Sequence, residues 1–309
     1  MRQTTLANTV HCSGIGLHSG DIVSISLNPA AADTGIIFQR IDIAEDGSVI
    51  PALFDRVCDT CLCTTIANDK GATISTVEHL MAALAGCQVD NAVVAVNGGE
   101  IPIMDGSAEP FVTLIECAGL VELEKPRNVI QILREGSVIE EYGKATLTPA
   151  DRQSTRLDIN LTIDFKNAAI GRHELFFDFS TFNFKKDICR ARTFGFLEDV
   201  KALRKAGLAQ GGSLDNAVVI SDSGVLNEDG LRYDNEFVRH KVLDCMGDLY
   251  LAGNQIVGRF TGDRTGHRIH NELLRSLFAD SDAWKLVPMD EYLEIPAPQW
   301  DVESQRAIA

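Results

Sequence analysis

About two-fifths of the way along the chain, at Glu124–Asn128, the sequence reads EKPRN, and a strand-and-helix pattern stops there and restarts. Before it, short strand-like runs (IVSISLNP, GIIFQR, TTIAN, NAVVAVNG) alternate with helical stretches at 75–86 and about 108–119. After it come VIQILREGSVIE, KATLTP, RLDINLTIDF and HELFFDF, and then helical patterns around 235–252 and 268–279. A charged, Pro-containing stretch between two such patterns reads as a linker. The pattern predicts a first α+β domain over 1–125, a linker at 124–128 and a second domain over 129–295, largely antiparallel at first. A tail over 296–309 is expected to fray. No sequence repeat relates the halves, and 309 residues suffice for two compact domains.

The longest apolar runs, Leu80–Gly86 and Asn91–Val96, fall far short of the roughly 18–20 residues that cross a bilayer. MRQTTLANTV also lacks the apolar core of a signal peptide, so a cytosolic protein is expected. The eight cysteines are then expected to be reduced thiols. A net charge of −16 argues against gripping a nucleic acid backbone. An anionic small ligand needs only two or three well-placed cations and stays open.

The segment EFVRHKVLDCMGDLYLAG carries the strongest chemical signal. His240 and Asp244 are four apart on a helical pattern, and Asp248 lies one turn further, so the three form a stripe. Such a stripe is either a solvated polar face or, given the apolar Phe237, Val238, Val242, Leu243 and Met246 around it, a buried constellation. In ATISTVEHLMAALAG the run Ser75–Glu78 fits a capping box, with Glu78 reaching back to the Ser75 N–H. His79 reads either as a core histidine or as a ligand. Were it to meet His240 and Asp244, two imidazoles and one carboxylate without a fourth protein ligand would suit a catalytic zinc with an open position.

His267, in FTGDRTGHRIHNELL, precedes a helical run and suits a general acid or a polar helix start, with Asp248 able to raise its pKa if near. RARTFGF at 190–196 places a hydroxyl and a ring at a strand-to-helix junction. GIGLHSG at 14–20 is followed by a strand, so a dinucleotide-binding reading fails. CDTCLC at 58–63 offers three thiols where a tetrahedral thiolate site needs four ligands, and it reads instead as a buried strand.

Taken in order, STVEHLMAALAG, NGGEIPIMDGSAEPF, RARTFGF, LNEDGLRYDNEFVRHKVLDCMGDL and GHRIHNELL resemble the UDP-3-O-acyl-N-acetylglucosamine deacetylases, zinc amidases of lipid A biosynthesis in Gram-negative bacteria. The resemblance implies two α+β domains, each a sheet layered against helices, with the helices sandwiched between the sheets. It also implies a β-α-β insert at about 192–221 in the second domain, forming an apolar passage for an acyl chain, with Leu197, Val200, Leu203 and Val219 as lining. It further implies zinc ligands at His79, His240 and Asp244, a general base at Glu78, and an assisting His267 with Asp248 as its partner. Thr193 matches an oxyanion-holding hydroxyl, Phe194 the ring against the sugar, and Lys241 a substrate-binding lysine. Lys144 and Arg264 match diphosphate cations; Lys is common at the second position, so Arg264 is a departure that keeps the charge. Asp164 and Phe165 match a uracil-contacting pair. Leu62 and Cys63 fall beside the active site, and His18 matches a pocket histidine. His11, His173 and His270 match no functional position.

The implied reaction is removal of the N-acetyl group from a nucleotide-sugar lipid, giving acetate and a free 2-amine. The implied protein is a monomer with at most transient contact with the inner membrane face. Two alternatives stand beside it: a zinc amidase acting on another acylated sugar or amide, and a non-catalytic metal-binding or thiol-redox protein built on CDTCLC.

Overall fold

The structure is a computed structural model that describes residues 1–150 and 154–294. The expected tail at 296–309 lies outside the described residues. The architecture is α+β, with sheets in both halves and helices packed between them.

In the first half, five strands run in the order Val10–Ile15, Ile22–Pro29, Ala92–Val96, Ile36–Arg40, Val49–Pro51. Alternation decides which face is inward: Val23, Ile25 and Leu27 on one strand and Ala92, Val94 and Val96 on its neighbour are all buried. Against that layer lie the helices Glu78–Gly86 and Glu109–Ala118, close to the expected spans.

In the second half, seven strands assemble around the long strand Gln255–Asp263. Its first residues pair in parallel with Asn128–Ile132, and its last residues lie between Lys144–Thr148 and Leu157–Asp164. The helices Glu236–Tyr250 and His267–Ala279 pack inside this sheet. The insert is a β-α-β unit: strand Phe194–Phe196, helix Leu197–Lys205, and strand Val218–Ser221 returning parallel to the first.

The stretch Glu124–Asn128 is held on both sides. Strand Leu120–Pro126 pairs antiparallel with Arg2–Leu6, and Asn128 opens the next strand. Between them Arg127 is 4% exposed and donates to the Asp90 carboxylate, with its shortest contact at 2.7 Å.

Two local expectations are corrected. The Glu78–Gly86 helix starts at Glu78, so Glu78 is its first residue and not the third, as a capping box requires. The Ser75 N–H donates to the Gly99 carbonyl, and Thr76 turns through φ 58°. CDTCLC is not a buried strand. The strand ends at Asp59, whose carboxylate accepts from the Cys61 N–H at 2.9 Å in an Asx-type turn, and Leu62 follows at φ 70°. Cys58 and Cys61 are exposed; only Cys63 is buried.

Candidate active site

The Glu236–Tyr250 helix is buried nearly all round. His240, Asp244 and Asp248 are 1%, 3% and 2% exposed, so the solvated-face reading fails. Burying ionisable groups costs several kcal/mol per ion unless they find partners, so the partners define the site. The first turn of the Glu78–Gly86 helix supplies them, because the two helices touch there. A Cβ on Gly247 would sit 2.0 Å from the Glu78 carbonyl oxygen, so only glycine permits this approach.

The contact brings His79 Nε2 to 3.5 Å and His240 Nε2 to 3.3 Å from Asp244 Oδ1, with the two rings nearly perpendicular at 4.9 Å. His240 Nδ1 donates to the Ala191 carbonyl at 3.0 Å, which leaves the Nε2 lone pair facing inward. Burial pushes His240 down to about 4, so the ring is neutral at pH 7. Asp244 Oδ2 accepts from Lys241 Nζ at 2.6 Å. Asp244 Oδ1 is buried and has no hydrogen-bond partner among the described residues. Burial opposes its charge, yet His240 and Lys241 hold the carboxyl well below the usual carboxylate range. Two imidazole nitrogens and an unpartnered carboxylate oxygen, all within 4.8 Å of one another, form a donor set that fits a divalent cation such as zinc. No cysteine belongs to the clustered donors among the described residues.

Beside this set, Glu78 Oε2 accepts from the Thr64 N–H at 3.1 Å, while Oε1 lies 3.9 Å from His267 Nε2. Burial raises the Glu78 carboxyl, with His267 and His79 pulling against the rise. His267 donates through Nδ1 to Asp248 Oδ2 at 2.8 Å. Burial works against a charge on this ring, but Asp248 and Glu78 outweigh it and lift His267 to about 9. Lys241 is likewise raised: Asp244 overcomes the burial penalty.

A cavity of about 260 Å³ opens over these groups and is also lined by Leu62, Phe165, Thr193, Phe194 and Thr265. Leu62, Thr193 and Phe194 line a second, more apolar cavity of about 340 Å³ as well, together with Leu197, Val200, Leu203 and Val219 of the insert.

The family model for UDP-3-O-acyl N-acetylglycosamine deacetylase (LpxC) matches residues 3–279. The chain belongs to this family. Named UDP-3-O-acyl-N-acetylglucosamine deacetylases from Hahella chejuensis and Marinobacter nauticus are 47% and 48% identical to it over 299 residues each. That is 96% of this chain, and 97% and 96% of theirs. The Thioalkalivibrio sulfidiphilus deacetylase is 47% identical over 293 residues, 94% of either chain.

Against the family pattern, the remaining expected residues fall in two places. Lys144, Arg264 and Asp164 do not line the cavity but stand together at one end of three neighbouring strands: Lys144 pairs with Asp263, and the Arg264 N–H donates to the Thr162 carbonyl. Arg264, at φ 50°, starts the turn that carries the chain to Thr265 and His267. Asp164 lies 3.8 Å from Arg172, while Phe165 stacks edge-on with Phe194 at 5.7 Å. Cys63 lies behind Glu78; burial, with the Glu78 charge adding, pushes its thiol up to about 12. His18 borders the apolar cavity, its ring nitrogens without partners among the described residues. Two residues that carried no expected role stand within the cluster: Thr64, whose hydroxyl donates to Asp248 Oδ1 at 2.6 Å, and His270. The sequence signal for His270 was its spacing, three residues after His267 and so on the same helical face.

Proposed function

We propose that this chain hydrolyses the N-acetyl amide of UDP-3-O-acyl-N-acetylglucosamine, releasing acetate and leaving the free 2-amine, as a step of lipid A biosynthesis. The observation that carries the reading is the buried donor set of His79, His240 and Asp244 beside Glu78 and His267, under a cavity that shares its wall with an apolar passage. His79, His240 and Asp244 would hold zinc. Bound there, it would supply Lewis acidity, lowering the pKa of water from about 15.7 towards about 7 and polarising the amide carbonyl.

The chain's own groups divide the proton work. Glu78, its carboxyl raised but ionised in the working state, takes a proton from the attacking water through Oε1, the oxygen left free by Thr64. The Thr193 hydroxyl, on the cavity wall, donates to the developing oxyanion; a well-aimed donor of this kind contributes about 3–4 kcal/mol. His267, held protonated by Asp248, gives its Nε2 proton to the departing amine. The Lys241 ammonium adds positive charge beside the cavity, and Phe194 packs against the sugar.

The insert passage takes the acyl chain. Lys144 and Arg264 meet the diphosphate at the strand ends, and Phe165 with Asp164 contacts the uracil. Leu62, Cys63 and His18 shape the walls between the two cavities. The protein works as a cytoplasmic monomer, in two domains over 1–125 and 129–295, and draws its lipid-bearing substrate from the inner membrane face by transient contact. Among the described residues no helix is long and apolar enough to cross a membrane.

Incubation of the zinc-loaded protein with acylated UDP-N-acetylglucosamine should release acetate stoichiometrically with free amine. Acetate no higher than in a Glu78→Gln control would overturn the assignment.

A further inference from the structure

Asp248 carries more than one imidazole. Its Oδ2 accepts from His267 Nδ1 at 2.8 Å and from His270 Nδ1 at 2.7 Å, while its Oδ1 accepts from the Thr64 hydroxyl at 2.6 Å. His270 is fully buried, with 0% of its surface exposed, and its far nitrogen Nε2 accepts from the Thr265 hydroxyl at 2.9 Å. A histidine in an ordinary core needs one satisfied donor and one acceptor, and many arrangements provide them. Here the donor goes to the carboxylate that orients the proposed acid, and the acceptor is closed by a residue on the cavity wall.

The directions of these bonds follow from the donor inventory. Asp248 must be an acceptor to both rings, so each ring carries its proton on Nδ1. For His270 that leaves a lone pair on Nε2, which a donor such as a hydroxyl can fill and a second acceptor cannot. Asp248 therefore selects the tautomer of His270, the Thr265 hydroxyl satisfies the nitrogen left over, and His270 in turn fixes the rotation of the Asp248 carboxylate. Thr64 fixes the other oxygen, so the carboxyl plane has no freedom left except along the His267 bond.

We propose that His270 is a positioning residue for the reaction. Through Asp248, and with Thr64 and Thr265 as its supports, it sets the ring orientation of His267 so that Nε2 faces the cavity. This rests on the proposed role of His267 as acid. His270 neither lines the cavity nor belongs to the His79, His240 and Asp244 set, and it reaches the cavity wall through Thr265. The charged groups facing His267 are Glu78 from the first-half helix and Asp248 and Asp244 from the Glu236–Tyr250 helix, with the neutral His270 beside it on its own helix.

Three variants of the full chain test it. His270→Leu keeps apolar bulk and removes the donor; His270→Asn keeps a donor amide near the position of Nδ1; Thr265→Val keeps the shape of the cavity wall and removes the hydroxyl that supports Nε2. Loss of such a supporting hydrogen bond typically costs about 10- to 100-fold in activity. The expected result for His270→Leu is a fall in kcat of that size with KM changed less than about twofold. His270→Asn should recover most of it, and Thr265→Val should fall between. The His267 ring, followed by NMR without substrate, should titrate at higher pH in His270→Leu, because a carboxylate that has lost one donor binds the remaining imidazolium more strongly. If His270→Leu fails to fold, the Asn and Val variants decide alone: wild-type kcat in Thr265→Val together with reduced kcat in His270→Asn would overturn the proposal. So would equal losses in the Leu and Asn variants with the His267 titration unmoved, the signature of a core histidine that only packs. A wild-type protein inactive on the acylated nucleotide sugar would sink the function reading and this one with it, whereas an active wild type showing either overturning pattern would sink this one alone.

Discussion

At Glu78 one carboxylate oxygen is held by the Thr64 N–H and the other faces His267 Nε2 at 3.9 Å. Glu78→Gln keeps an acceptor for Thr64 and removes the base, so kcat should fall about 10²- to 10⁴-fold while zinc content and melting temperature stay near wild type. A lowered melting temperature with turnover retained would instead mark Glu78 as a cap. His240→Ala should lose bound zinc by elemental analysis. The pH profile follows from the same pair. With Glu78 as the proposed base and His267 as the proposed acid, kcat/KM should rise through the elevated Glu78 pKa and fall as pH passes about 9. Asp248→Asn removes the charge that lifts His267, and the alkaline limb should move to lower pH. For stability the sign is the same. The extra proton affinity of His267 stabilises the fold fully below about pH 6.5, the ordinary histidine value, and is lost as pH rises through about 9. At this scale the sequence was only half legible. The spacing of His240, Asp244 and Asp248 announced one face of a helix, but a capping box and a general base look alike in letters. The difference lies in a backbone turn at Thr76 and an N–H fourteen residues upstream, neither of which has a local signature.

Between elements, the decisive contact is the one at Gly247. The sequence pattern placed both helices close to their observed spans, because apolar spacing at 3.6 residues survives whatever the tertiary context. Apolar spacing alone gave no sign that the two helices touch, since a glycine inside a helical pattern reads merely as a weak helix former; only the resemblance, by assigning His79, His240 and Asp244 to one ion, implied it. Gly247→Ala should gain about 1 kcal/mol of helix propensity and lose more to overpacking, which costs about 1–3 kcal/mol and here strikes backbone at 2.0 Å. Urea denaturation should show net destabilisation. Because the atom struck belongs to Glu78, kcat should fall further than the loss of folded protein explains. The CDTCLC misreading has the same origin: three apolar-leaning residues looked like a strand, whereas an aspartate accepting from an N–H two residues on turns the chain.

Across the whole molecule, the halves are joined by a partly buried ion pair at the stretch that reads as a linker. Arg127 binds Asp90, the Gln88 side chain and carbonyl, and Thr4, so one guanidinium ties the connecting strand to the first half. A charged, Pro-containing run reads as solvent-exposed because sequence shows the charge and not its partner. Arg127→Ala should cost about 1–3 kcal/mol, because the Asp90 left behind is only partly shielded from water. The cavity residues are elsewhere, so KM in the folded protein should be unchanged; a KM shift would show that the joint between the halves shapes the site.

The helix contact also has a topological meaning. His79 and His240 are separated by about half the chain, and each comes from a different half, so an ion held by both would be a cross-link as well as a cofactor. Like a disulfide, it would remove disorder from the unfolded chain, with the longest loops gaining most. Chelation should therefore lower the melting temperature and not merely abolish turnover, and zinc added in excess should raise it again in proportion to the logarithm of its free concentration. In the His240→Ala protein that rise should vanish, leaving packing and hydrogen bonds such as those of Arg127 and Thr64 to keep the two halves in register.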